Sequence, residues 1–125
     1  MTSPDIDAFD AMVREAYGSL PAAFRDLCGN VVIHVADTAE PDLLAELGIA
    51  DPMELSGLFE GIALGDADDA PPNHVHLYRL PILAEWRDTP GLGLDDLVTH
   101  VLVHEIGHHF GLSDEDMHAI EDAAE

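Results

Sequence analysis

Between Leu94 and Asp114 the chain reads LDDLVTHVLVHEIGHHFGLSD, and no other stretch constrains the fold as strongly. Leu94, Leu97, Val98, Val101, Leu102, Val103, Ile106 and Phe110 are spread nearly all round a helical wheel, the pattern of a helix buried in the interior. The rest of the chain must therefore wrap this helix. Yet the helix also carries His104, Glu105 and His108, which are costly to bury without partners. His104 and His108 are four apart and share a face with Leu97 and Val101, so their imidazoles can meet at a single metal ion. Glu105 lies about 100° further round, because a helix has 3.6 residues per turn. It flanks such an ion rather than binding it, where it could take a proton from a water.

Gly111 continues the pattern. Helices commonly end on a residue with positive φ, which glycine adopts at least cost, and the chain can then turn back. Asp114, six residues past His108, would reach the same ion from the far side of that turn. Three protein ligands would leave a fourth position for water or substrate, which distinguishes a catalytic zinc site from a closed structural one. With eight His and ten Gly in 125 residues, HExxH alone would arise in about one shuffled chain in 25, and the full HExxHxxGxxD in about one in 2,500. The longer pattern therefore carries the argument.

The totals narrow the function classes. A length of 125 residues and an apolar fraction of 47% suit a single domain, residues 1–125, that buries a core without disulfides. Twenty-six acidic residues against four arginines and no lysine give a formal charge of −22. Such a surface repels nucleic-acid phosphates and anionic membranes, which argues against both as partners, and it favours a basic or unfolded peptide or protein substrate. The charge also serves solubility. Cys28, the single cysteine, can form no internal disulfide and reads as a buried, inert thiol. The N-terminus, MTSPDIDAFDAM, lacks the basic and apolar regions of a signal peptide, and no apolar run reaches the ~18 residues of a membrane span, so a cytoplasmic protein is expected. The oligomeric state is not legible.

Taken in order, the chain begins with an amphipathic helix capped by Thr2 or Ser3, carried by Ile6, Phe9, Met12, Val13 and Tyr17, and ending near Gly18. A short helical piece, Pro21 to Leu27, is broken by Gly29. NVVIHVAD, Asn30 to Asp37, reads as a strand, with His34 isolated inside it as a half-buried structural histidine. Pro41 to Leu47 is a short helix stopped by Gly48. Ser56 to Leu64 reads as a second strand, and GDADDAPPN, Gly65 to Asn73, as a solvated loop rather than a calcium loop. HVHLYRL, His74 to Leu80, is a third strand, whose His74 and His76 point the same way but lack a visible third ligand. A helix begins at Pro81, and an acidic terminal helix, Glu115 to Ala124, follows the motif with Ser113 or Asp114 as its cap. This order implies an α+β fold, with a mixed or antiparallel sheet packed on the buried motif helix.

At HExxHxxGxxD the chain resembles the zincins, with the glycine and third-ligand spacing of metzincins in which Asp replaces the last His, as in the snapalysins. Its acidic composition, the HLYRLPIL segment ahead of the motif helix and the end soon after HEIGHHFGLSDEDM resemble a family of short bacterial zincin-like metallopeptidases. The resemblance implies a zinc-dependent peptidase in which His104, His108 and Asp114 bind Zn²⁺ and Glu105 is the general base that serves a metal-activated water. Metzincins also carry a methionine turn well downstream, whereas here Met117 follows almost at once. His118 and then Glu121 stand behind Asp114 as alternative ligands, and Tyr78, His109 and His76 are the candidates for stabilising an oxyanion. Either SGLFEGIAL or HVHLYRL could hold an extended peptide at a sheet edge. The rival reading is a zincin scaffold that holds metal but acts as an interaction or regulatory protein. An intact Glu105 weighs against it.

Overall fold

A computed structural model of the chain describes residues 4–28, 30–60 and 73–123. Readings that rest on Thr2, Ser3, Gly29 and residues 61–72, the acidic loop among them, lie outside the described residues. Helix α1, Ile6–Gly18, is capped by Asp5, whose carboxylate accepts from the Ala8 amide at 2.8 Å. It buries Phe9, Val13 and Ala16. Helix α2, Ala22–Cys28, follows, then strand β1, Val31–Ala36, and helix α3, Pro41–Leu47, which Gly48 ends at φ +71°. A 3₁₀ turn, Pro52–Glu54, leads into β2, Gly57–Glu60, and the chain continues through β3, Asn73–Tyr78, and α4, Arg79–Asp88. The motif helix is α5, Leu94–His109, and α6, Asp114–Ala123, closes the sequence of elements.

The three strands form one sheet in the order β1-β3-β2, with β1 parallel and β2 antiparallel to β3. The fold is α+β with a mixed sheet. Ile33, Val35, Phe59, Val75 and Leu77 lie on one face and join the core built by α5. On α5, Val98, Leu102, Val103 and Ile106 are wholly buried, each such side chain contributing roughly 1.5–3 kcal/mol relative to exposure. Helix α1 packs against both α5 and β1. The motif helix is thus the centre of the core, as its all-round apolar pattern demands. Among the described residues, no helix is long and apolar enough to cross a membrane.

Several boundaries differ from the sequence reading, α1 being capped by Asp5 and β3 ending at Tyr78 instead of Leu80 among them, and two more have a visible setting. Helix α4 starts at Arg79, straight after β3, instead of at Pro81. The Leu80 amide donates to the Asp37 carbonyl at 3.0 Å and Arg79 Nε reaches Asp37 Oδ1 at 2.7 Å, so contacts with the end of β1 turn the chain early. Pro81 then falls in the first turn, where the amide it lacks would have no helical partner. The last helix begins at Asp114 rather than Glu115, with Ser113 Oγ accepting from the Asp116 amide at 3.1 Å. Cys28 is fully buried, and that burial raises its thiol pKa to about 11, which suits an inert role.

Candidate metal centre

The site is built by α5 and the two elements that flank it. His100, His104 and His108 follow at four-residue steps and therefore form one stripe along α5. The His100 and His104 rings are 3.9 Å apart between centroids, those of His104 and His108 5.9 Å. His104 is half-buried and His108 exposed.

Helix α5 ends as the motif implies. Gly111 takes φ +72°, the Gly111 amide donates to the His108 carbonyl, and the Leu112 amide donates to the Gly107 carbonyl at 2.9 Å. The chain reverses and α6 returns along the stripe. It approaches closely because Gly107 has no side chain: a Cβ there would lie 2.5 Å from Met117 Sδ. Met117 is buried in that notch.

This packing sets the residues of α6 against the histidines. Glu121 Oε1 is 2.7 Å from His100 Nδ1, and Oε2 is 3.5 Å from His104 Nε2. His118 Nδ1 lies 3.8 Å from the same Oε2. His104 Nε2 and Glu121 Oε2 are both buried, and neither has a hydrogen-bond partner. A nitrogen and an oxygen held 3.5 Å apart without a hydrogen bond fit a shared cation, since donors about 2.0–2.2 Å from one zinc ion are spaced at about 3–3.5 Å. Ligand atoms of His100, His104 and Glu121 lie within 4.8 Å of one another.

Glu105 occupies the opposite wall. It packs against β2 where Gly57 leaves room: a Cβ on Gly57 would meet Glu105 Cγ at 3.2 Å and the His76 carbonyl at 3.0 Å. Burial raises the pKa of Glu105, and the nearby His108 opposes that shift in part. For His104, burial lowers the pKa, with His100 acting the same way and Glu121 against it. A depressed imidazole is neutral at pH 7, the form that binds a metal.

Asp114 stands exposed at the head of α6, and among the described residues no hydrogen bond or ion pair joins it to His104 or His108. His100, His104 and His118 are gathered around Glu121, while Glu105 lies beside Gly57 of β2 and His108. His100 was missed by the sequence reading. Its signal was its place on the stripe, four residues before His104, matched on α6 by Asp114, His118 and Glu121 at four- and three-residue steps.

The sequence profile of the zincin-like metallopeptidase family matches residues 28–124. The chain belongs to that family. Among curated proteins, none matches it. For a zincin-like metallopeptidase a metal ion, usually zinc, is the family expectation, and the unpartnered His104 Nε2 and Glu121 Oε2 fit one. The match begins at the end of α2, so it takes in the sheet and α3 to α6 and leaves α1 outside.

Other residues of this zincin-like metallopeptidase fall elsewhere. Tyr78 packs with Ala39 and Leu44, and His76 lies on the sheet face turned from α5, so neither adjoins the cleft. His109 is exposed, with its ring edge-on to Phe59 at 4.7 Å. Of the two segments read as peptide-binding edges, HVHLYRL is the central strand with neighbours on both sides. The other, β2, is an edge strand, which among the described residues pairs only with β3, as does β1 at the opposite edge. Nor is His34 isolated: the parallel β1–β3 register sets it opposite His76, and its Nε2 is 2.9 Å from His74 Nδ1.

Proposed function

We propose that this protein is a zinc-dependent peptidase, with His104, His108 and Asp114 as the metal ligands, Glu121 as a further carboxylate beside His104, and Glu105 as the general base. The observation that carries the reading is the buried pair His104 Nε2 and Glu121 Oε2, unpartnered and 3.5 Å apart between α6 and the helix that bears Glu105. Zinc held there would lower the pKa of a bound water and polarise the scissile carbonyl. Glu105 accepts the proton of the attacking water and returns it to the leaving amine. Its raised pKa supports both steps, because a carboxylate that holds a proton more readily is the better base and is less extreme as an acid. The free edge of β2 offers main-chain hydrogen bonds to an extended peptide across the cleft.

The substrate reading follows from charge and shape. A cavity of about 350 Å³ adjoins Glu121 and His100, walled by Leu92 and Leu97 and edged by Glu85 and Asp96. Apolar walls with carboxylates at the rim suit the aliphatic stem and cationic head of a Lys or Arg side chain. A basic, unfolded segment is therefore the preferred substrate of a chain whose own charge is −22.

The test combines metal content with cleavage of an unfolded, Lys- and Arg-containing protein, for the natural chain and for Glu105→Ala. Zinc in both and cleavage only by the natural chain is the expected result. Zinc in both without cleavage of a broad peptide library would move the reading to a metal-holding interaction protein, and failure to bind added zinc would end it.

A further inference from the structure

The other three-histidine group of the molecule lies across the sheet from α5. Strand β1 runs parallel to β3 and sets His34 opposite His76, while antiparallel β2 sets Glu60 opposite His74. Side chains alternate along a strand, so His34, His74, His76 and Glu60 share the face that does not join the α5 core. Three strands thus contribute three imidazoles and a carboxylate to one patch.

Its geometry is that of a cluster of donor atoms. His34 Nε2 and His74 Nδ1 are 2.9 Å apart, and the His34 and His76 rings stack at 4.7 Å with planes 14° from parallel. His76 Nε2 is buried and lies 2.8 Å from Glu60 Oε1, yet it makes no hydrogen bond.

We propose that this face holds a second divalent transition-metal ion of the Zn²⁺ type, with His34 Nε2 and His74 Nδ1 as its imidazole ligands and Glu60 as its carboxylate. Two imidazole nitrogens about 2.0–2.1 Å from one ion are spaced at about 2.9 Å for a right angle and about 3.4 Å for a tetrahedral one. The observed 2.9 Å is the right-angle spacing, and an ion would take the place of the hydrogen bond that now joins the two rings. Glu60 is the cross-strand partner of His74, which places their Cβ atoms about 5 Å apart, and its exposed side chain, now paired with His76 at 2.8 Å, would turn from that partner towards the ion. His76 stacks on His34 and fixes the plane of that ring. A net charge of −22 raises the local concentration of divalent cations. The inference stands apart from the peptidase reading, since none of these residues belongs to the motif helix.

The experiment uses the full chain carrying His104→Ala, His108→Ala and Glu121→Gln, which disables the α5–α6 site. Zn²⁺ alone is titrated against a chromophoric chelator. One equivalent bound is expected, at least tenfold weaker after His34→Gln or His74→Gln, with histidine ring signals of His34 and His74 shifting on zinc addition in nitrogen-edited NMR. The Gln variants retain a hydrogen-bonding amide, so a plain hydrogen-bonded histidine pair would leave zinc uptake unchanged by them. That result, or no zinc bound by the triple variant, would overturn the proposal. Should a Gln variant fail to fold, the ring shifts in the triple variant decide alone.

Discussion

The molecule gathers histidines twice, and it does so by different means. On α5, His100, His104 and His108 line up because a helix repeats every 3.6 residues, and a single turn brings Glu121 of α6 against His100 and His104. On the sheet, His34 meets His74 and His76 only because β1 and β3 pair in one particular parallel register. The first group is written in local spacing and the second in tertiary pairing. A helix reveals its neighbours to anyone who counts residues, whereas a strand conceals them until its partner is known.

The comparison can be broken most sharply at Glu105. Glu105→Gln should lower kcat/KM by about 10²–10⁴, the usual contribution of a general base, while zinc content at both groups stays unchanged. Loss of metal along with activity would mean that Glu105 helps to hold the α5 site together instead of serving its chemistry.

A smaller effect separates the α6 carboxylates. Asp114→Asn should weaken zinc binding at the motif by more than 100-fold, and Glu121→Gln by about 10–100-fold as a supporting partner, with the sheet group indifferent to both. Equilibrium dialysis reads this directly. The reverse order would make Glu121 the third ligand and Asp114 a helix-capping charge.

Gly107→Ala probes the notch between the helices. The added methyl would collide with Met117 Sδ and should cost about 1–3 kcal/mol of stability in a urea titration. Weaker zinc binding at the motif alone should accompany it, because α6 would be displaced while the sheet is not.

The smallest effect is a pH dependence in the zinc-free chain. Burial raises the pKa of Glu105 above its ordinary 4.5, so its contribution to stability is fully present below that value and is lost as pH rises through the folded-state pKa. Glu105→Gln should therefore melt at a higher temperature than the natural chain at pH 7, and the difference should shrink below about pH 4.5. A difference that does not vary with pH would show that Glu105 is not held in a desolvating pocket.

How much was legible follows the same division. The buried helix and its end at Gly111 were readable because each depends on residues within a turn or two of one another. The α+β class was also readable, with β1 marked by its β-branched run and β3 by its alternation. The order β1-β3-β2 was not, and the supposed isolation of His34 failed with it. Glu121 ranked last among the ligand candidates because sequence distance alone could not anticipate how closely α6 would return. That closeness is set by the missing side chain of Gly107. The early start of α4 depended on Asp37, a residue from the end of another strand.

The turn at Gly111 also has a kinetic meaning. Because α5 and α6 are consecutive and joined by a tight reversal, bringing His104 and Glu121 together closes a short loop, and the entropy of loop closure grows with its length. The sheet group instead unites residues forty positions apart, as with His34 and His74. Contacts of low sequence separation form readily, whereas non-local strand pairing is slow. A helical hairpin able to trap an ion could therefore be in place during folding before β1 finds β3, and zinc added early in refolding would engage the motif first and the sheet last.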